Sequence, residues 1–131
     1  QTACSAVTVH AMHDPTEGGL ATGVAEMASA AAVGVEVGAD ALQILPETQA
    51  ICRTLGLDPL GLLASGALLV AMAPVDVEAV QTALIKEGIP SQVIGRVTEA
   101  SEGLRLRTAD RLVALPTFTR DELARFMSQS S

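Results

Sequence analysis

His13 and Asp14 follow a β-branched run, Val7 to Val9, and stand directly before Pro15-Thr16-Glu17-Gly18-Gly19. An imidazole and a carboxylate at the end of a strand occupy the place where open α/β folds put their chemistry. His13 there could carry a proton or contact a phosphate. Asp14 has a simpler role open to it, as N-cap of the helix that follows. Pro15 suits a first helical position, Glu17 completes a capping-box spacing, and Thr16 is a competing cap. Two glycines in a first turn cost roughly 1 kcal/mol each against alanine, so something must favour them. Bare backbone N–H groups at the positive end of a helix dipole would let an anion approach closely. A close-packed turn with no room for side chains would favour them equally. His10 shares a strand face with Met12 rather than His13 and reads as structural.

The stretch HDPTEGGLATGVAEMA, residues 13–28, resembles the signature that opens the C-terminal domain of the AIR synthase (PurM) superfamily. The HDPT-x-GGLA wording is most similar to the hydrogenase-maturation (HypE) branch. A second stretch, ILPETQAICRTLGLDPLGLLASGALLVAM at residues 44–72, resembles the LGLDPL segment and the glycine before an apolar strand in that branch. The similarity runs to about residue 115. It implies an α/β (α+β) domain: a mixed sheet with packed helices, PurM C-terminal-like and partly ferredoxin-like in topology. It also implies that residues 1–6 are residual linker, that 7–131 form the domain, and that an N-terminal ATP-binding domain is absent from this chain.

The function implied is ATP-dependent phosphorylation of a thiocarboxamide oxygen, followed by loss of phosphate to leave a nitrile. This domain alone should be inactive, because ATP and Mg²⁺ would be held mostly by the missing half. The resemblance places the glycine loop on the interdomain cleft. His13 and Asp14 are then catalytic candidates, and Pro15, Thr16, Gly18 and Gly19 nucleotide or phosphate contacts. Glu17, Ser65 and Gly66 are further cleft candidates, and no metal ligand is implied. Implied partners are the protein's own N-terminal domain, a second copy in a homodimer, and a HypF-like carbamoyltransferase. The alternative is a non-catalytic relative that binds a ligand or assists assembly. Two departures from HypE, at Ser65 and at the C-terminus, favour that alternative, and a third, at Glu17, would weaken attraction for an anion. Glu17 stands where the branch usually has Arg. Ser65 stands where HypE carries a Glu associated with dehydration. The final residues, 127–131, hold no Cys where HypE carries Pro-Arg-x-Cys.

The elements that must position these residues follow from periodicity. Residues 7–12 read as a strand. A helix runs from 16 or 17 to about 32, with Leu20, Val24, Met27 and Ala31 at helical spacing and Glu26 outward. Ala21, Gly23, Ala25 and Ala28 would allow close approach to a neighbour, and Gly34 would end the helix. Residues 35–37 form a short strand. Residues 46–55 form a helix with Ile51 and Leu55 inward and Gly56 as its stop. Asp58-Pro59 caps a short helix. Residues 67–72 read as a strand covered on both faces. Residues 74–87 form a helix that buries Val77, Val80, Ala83 and Leu84. Strands follow at 92–97, with Gly95 marking a bulge, at 103–107, with an edge-like Leu/Arg alternation, and at 112–115. Thr119 and Glu122 form a capping-box spacing before a C-terminal helix.

Composition narrows the function classes. The 131 residues suit one domain with a real core, built from aliphatic residues because Trp and Tyr are absent and Phe occurs twice. A net charge of −7, with no basic stripe and few rings to stack on bases, argues against nucleic acid. No apolar run reaches the length of a membrane span, and no signal peptide is visible. Cys4 and Cys52 make no metal spacing, so a reduced, cytoplasmic pair is expected.

Overall fold

Two sheets share one core in the computed structural model, which describes residues 7–129. The expected linker, 1–6, and Cys4 lie outside the described residues. Strand β1 (Val9–His13) leads into helix α1 (Gly19–Ala31), and strand β2 (Gly34–Gly38) follows. Helix α2 (Pro46–Leu55) and a 3₁₀ turn (Pro59–Gly61) precede strand β3 (Leu69–Met72). Helix α3 (Val77–Lys86), strands β4 (Gly95–Thr98), β5 (Leu104–Arg107) and β6 (Leu112–Ala114), and helix α4 (Glu122–Gln129) complete the order.

β1 and β3 pair antiparallel as a two-stranded ribbon, with His13 opposite Leu69. The other four strands form a mixed sheet in the order β4-β2-β5-β6, in which only the β2–β5 pair is parallel. The expected α+β class is therefore present, as two sheets. Ala21 and Val24 of α1 bury against Val37, Leu60 and Leu115, and Leu104, Leu106 and Phe118 pack around them. Small residues let α1 lie close. A β-carbon on Gly23 would sit 2.6 Å from Pro15 Cβ and 3.2 Å from both His13 Cδ2 and Leu69 Cδ1.

Several local expectations change. Ala32, at φ 53°, makes the left-handed stop of α1, and Gly34 opens β2 instead. In α2 the buried residue is Cys52, while Ile51 and Leu55 are exposed. The helix meets its neighbour at the 59–61 turn along one narrow face, and Cys52 occupies it. β3 is only half-buried, because it pairs with β1 alone. β5 lies inside its sheet, between β2 and β6, so its Leu/Arg alternation separates two faces rather than marking an edge. The bulge falls in β1, between Val9 and Ala11. Gly95 pairs regularly with Val37, and a side chain there would strike the Glu36 carbonyl. Helix α4 is capped by Asp121, whose Oδ1 accepts the Leu123 N–H at 2.9 Å, rather than by Thr119. Val80 of α3 is buried as its spacing predicts.

Candidate anion-binding loop at the head of the long helix

The antiparallel ribbon fixes the site. Because His13 faces Leu69 across the strands, the loop after β1 runs beside the loop before β3. The Ala64 N–H reaches the Thr16 carbonyl at 3.4 Å, and Thr16 N–H donates to the Asp14 carbonyl at 2.9 Å. Asp14, Thr16, Glu17, Ser65 and Gly66 are all exposed on these paired loops. Pro15 is fully buried beneath them, wedged against α1 at Gly23.

The helix starts later than its caps predict. Gly18 is the N-cap, with φ 73°, and Gly19 is the first helical residue, with φ 69°. Both angles are left-handed, which glycine adopts without steric penalty. No side chain caps the helix and its first turn holds no acidic residue. Asp14, Thr16 and Glu17 therefore form neither N-cap nor capping box, and Pro15 lies four residues ahead of the first turn. An uncapped helix start leaves N–H donors at the positive end of the dipole.

Packing also explains the glycines. A β-carbon at Gly19 would fall 2.5 Å from the carbonyl oxygens of both Leu60 and Leu62. One at Gly18 would fall 2.5 Å from Thr22 Oγ1, a buried hydroxyl without a hydrogen-bond partner among the described residues. Gly18 and Gly19 are both buried, so the close-packed turn lies at the uncapped helix start itself: the α-carbon of Gly19 is pressed on the 59–61 turn.

His13 turns along the helix. Its Nε2 sits 2.7 Å from Glu26 Oε2, and its ring lies beside Gly23, one turn beyond Gly19. Glu26 is exposed as expected, yet it is the ion-pair partner of His13. Among the described residues no group of His, Cys, Asp and Glu side chains could hold a metal ion. An open groove of about 460 Å³ runs along the same helix, between Ala21, Thr22, Ala25 and Glu26 on one side and Thr117 and Phe118 on the other.

Two buried carboxylates have no counterpart in the sequence reading. Glu36, on β2, accepts from Arg107 Nε at 2.7 Å and Arg96 at 3.3 Å. The Arg107 hydrogen bond, helped by Arg96, holds its carboxyl below the usual range against the opposing effect of burial. The visible signal is a Glu between two valines in a strand, with Arg at alternate positions of later strands. Glu122 accepts from Arg125 at 2.7 and 2.8 Å and from the Asp58 N–H at 3.0 Å. Arg125 chiefly holds this carboxyl low too, while burial opposes it. Burial, with the nearby charges of Asp58 and Glu122, pushes the Cys52 thiol up.

Residues 1–107 match the family described as AIR synthase related protein, C-terminal domain. The carbamoyl dehydratase HypE of Rhodobacter capsulatus is 38% identical over 104 residues, covering 77% of this chain and 31% of that protein. The crystal structure of E. coli HypE superposes with a TM-score of 0.85 at 32% identity, over 96% of this chain and 41% of that one. HypE solved in complex with ATP superposes with a TM-score of 0.77 at 28% identity, over 86% and 37%. The chain spans about a third of the length of the curated relatives it matches.

Proposed function

Because the chain belongs to the AIR synthase related C-terminal domain family, we propose that it is one domain of a HypE-like, ATP-dependent protein of hydrogenase maturation. The observation that carries this reading is the uncapped, double-glycine helix start set beside the exposed Ser65-Gly66 turn. Similarity to a HypE that was solved with ATP supports it.

In this reading ATP supplies the phosphoryl group that turns a thiocarboxamide oxygen into a leaving group, so that phosphate departs and a nitrile remains. Backbone donors near Gly18 and Gly19, with Pro15 and Thr16 shaping the loop, stabilise negative charge that develops on the phosphate. His13, oriented by Glu26, and Asp14 stand at the edge of that loop as the groups able to hold a proton. Glu17 stands on the same loop, and Ser65 and Gly66 line the lip beside it. Among the described residues no three His, Cys, Asp or Glu side chains gather as a metal cluster, and no step here is routed through Mg²⁺.

The N-terminal domain is the expected cover for this wall. Met12, Leu63 and Leu68, about half exposed, flank the paired loops and give a partner surface its apolar contact. A homodimer and a HypF-like carbamoyltransferase are the further proposed partners. A cytoplasmic location is proposed from the likeness to HypE alone; no helix among the described residues is long and apolar enough to cross a membrane. Ser65, in place of the loop Glu of HypE, favours a second reading: a ligand-binding or assembly module that lacks the dehydration step.

The test is ATP binding and turnover by the full-length natural protein, compared with its Thr16→Glu variant. Binding that the added carboxylate weakens supports the loop's role. Identical ATP affinity in both proteins would remove it.

A further inference from the structure

We propose that Glu122 is a positioning residue for the loop at the head of α1, which makes the C-terminal helix part of the site. The proposal rests on the reading of that loop as a phosphate-contacting wall. Glu122 lies beyond the family match, which ends at residue 107.

Glu122 is 6% exposed, and the helix start does not need it, because Asp121 already caps α4. Its carboxylate instead reaches across the fold. One oxygen accepts the Asp58 N–H at 3.0 Å, and both oxygens take the Arg125 guanidinium, at 2.7 and 2.8 Å. Arg125 also donates to the Gly56 carbonyl at 3.2 Å. A bidentate Arg–carboxylate pair is a directional clamp, and this one grips both ends of Gly56–Asp58.

The clamp passes its geometry on through contacts that leave no slack. Asp58 Oδ1 accepts the Leu60 N–H at 2.9 Å and fixes the 3₁₀ turn. Behind the turn, a β-carbon on Gly61 would lie 2.5 Å from Phe118 Cδ1 and 2.8 Å from Glu122 Cγ. In front of it, the Leu60 and Leu62 carbonyls press on Gly19. The turn is held between α4 and the glycine loop, so a shift of Glu122 is a shift of the surface on which Gly19 rests. Close-packed interiors transmit such displacements instead of absorbing them.

The experiment is an amide NMR spectrum of the 131-residue chain, without ligand, for the wild type and Glu122→Gln. The Gly18 and Gly19 resonances should move together with those of Leu60, Gly61 and Leu62, while those of Val80 and Ala83 in α3, outside the cluster around Leu60, stay in place. Arg125→Lys, which keeps the charge, should move the same peaks less. A destabilising Val80→Ala change in α3, which is buried but outside the cluster around Leu60, should leave the glycine peaks unmoved, as a merely structural loss would. If Glu122→Gln does not fold, Arg125→Gln is read in the same way. Unmoved Gly18 and Gly19 peaks in a folded variant would overturn the proposal. The shifts are read without nucleotide, so a full-length protein that fails to bind ATP sinks the functional reading and leaves this coupling to be judged separately.

Discussion

Gly19 and Leu60 meet with no space for a side chain between them: a β-carbon on Gly19 would stand 2.5 Å from the Leu60 carbonyl oxygen. Backbone carbonyls in a fixed turn cannot move aside as a flexible side chain can. The double glycine is thus a joint between two segments, set at a helix start that no side chain caps.

Gly19→Ala should therefore destabilise the domain far more than Gly56→Ala. Both sites have left-handed φ, at 69° and 65°, and alanine there costs about 1–2 kcal/mol in either place. Gly56 has nothing within 4 Å of the added carbon, whereas Gly19 must also displace two carbonyls. The expected total at Gly19 is about 2–5 kcal/mol, once an overpacking cost of about 1–3 kcal/mol is added. Urea midpoints of the two variants check this, and equal midpoints would mean that the turn yields freely.

How much of this was legible depended on the range of the interaction. The strand–loop–helix unit at the start is written locally, in Val7 to Val9 and the small residues of α1, and it appears much as its periodicity predicts. The cap is not, because Asp14, Thr16 and Glu17 carry cap chemistry while the decisive contact, Leu60 on Gly19, lies 41 residues away. Periodicity points Ile51 and Leu55 inward by hydrophobicity alone, but the small face that meets the 59–61 turn admits Cys52. Glu122 and Asp58 are 64 residues apart, and nothing near either one announces the other. Asp14, Gly18 and Gly19 stand out from the strand–turn–helix pattern, whereas Ser65 and Gly66 are cleft candidates only through the resemblance. The proximity of the two loops, through Ala64 and Thr16, comes from the ribbon pairing.

Acid should weaken the fold through Glu122 and Glu36. Arginine hydrogen bonds hold both carboxyls below their ordinary value of 4.5 in the folded chain. A carboxyl that binds its proton less readily folded than unfolded adds stability in full above that ordinary value. The added stability is lost as pH falls from 4.5 through the lower folded value. Glu122→Gln should accordingly lower the urea midpoint at pH 7 and flatten its decline between about pH 5 and 3. A slope unchanged from wild type would show that the Arg125 clamp does not persist in solution.

Gly23→Ala should separate α1 from the ribbon. The new methyl would sit 2.6 Å from Pro15 Cβ, with the His13 ring at 3.2 Å. Pro15 is fully buried and cannot retreat, so the helix must move. Alanine is the better helix former by about 1 kcal/mol, which offsets part of the overpacking cost of about 1–3 kcal/mol. The expected net effect is a loss of up to about 2 kcal/mol, together with weakening of the His13–Glu26 contact. Thermal denaturation measures the first, and imidazole NMR shifts of His13 compared with Glu26→Gln measure the second. A stabilised Gly23→Ala protein would contradict the close approach.

Ser65→Glu tests whether the two exposed loops act on one ligand. Ser65 is exposed and its neighbour Gly66 has open space around it, so the longer side chain should leave stability within about 0.5 kcal/mol of wild type. Its charge, however, would stand across the Ala64–Thr16 contact from the uncapped start of α1. A carboxylate there competes with a phosphate for the same donors and repels it. In the full-length protein ATP should bind several-fold more weakly to the Glu variant, with a difference that shrinks as salt is raised and the charges are screened. Ser65→Lys should act in the opposite direction. Equal affinities for all three proteins would mean that Ser65 faces no bound anion, and the paired loops would then owe their arrangement to the ribbon alone.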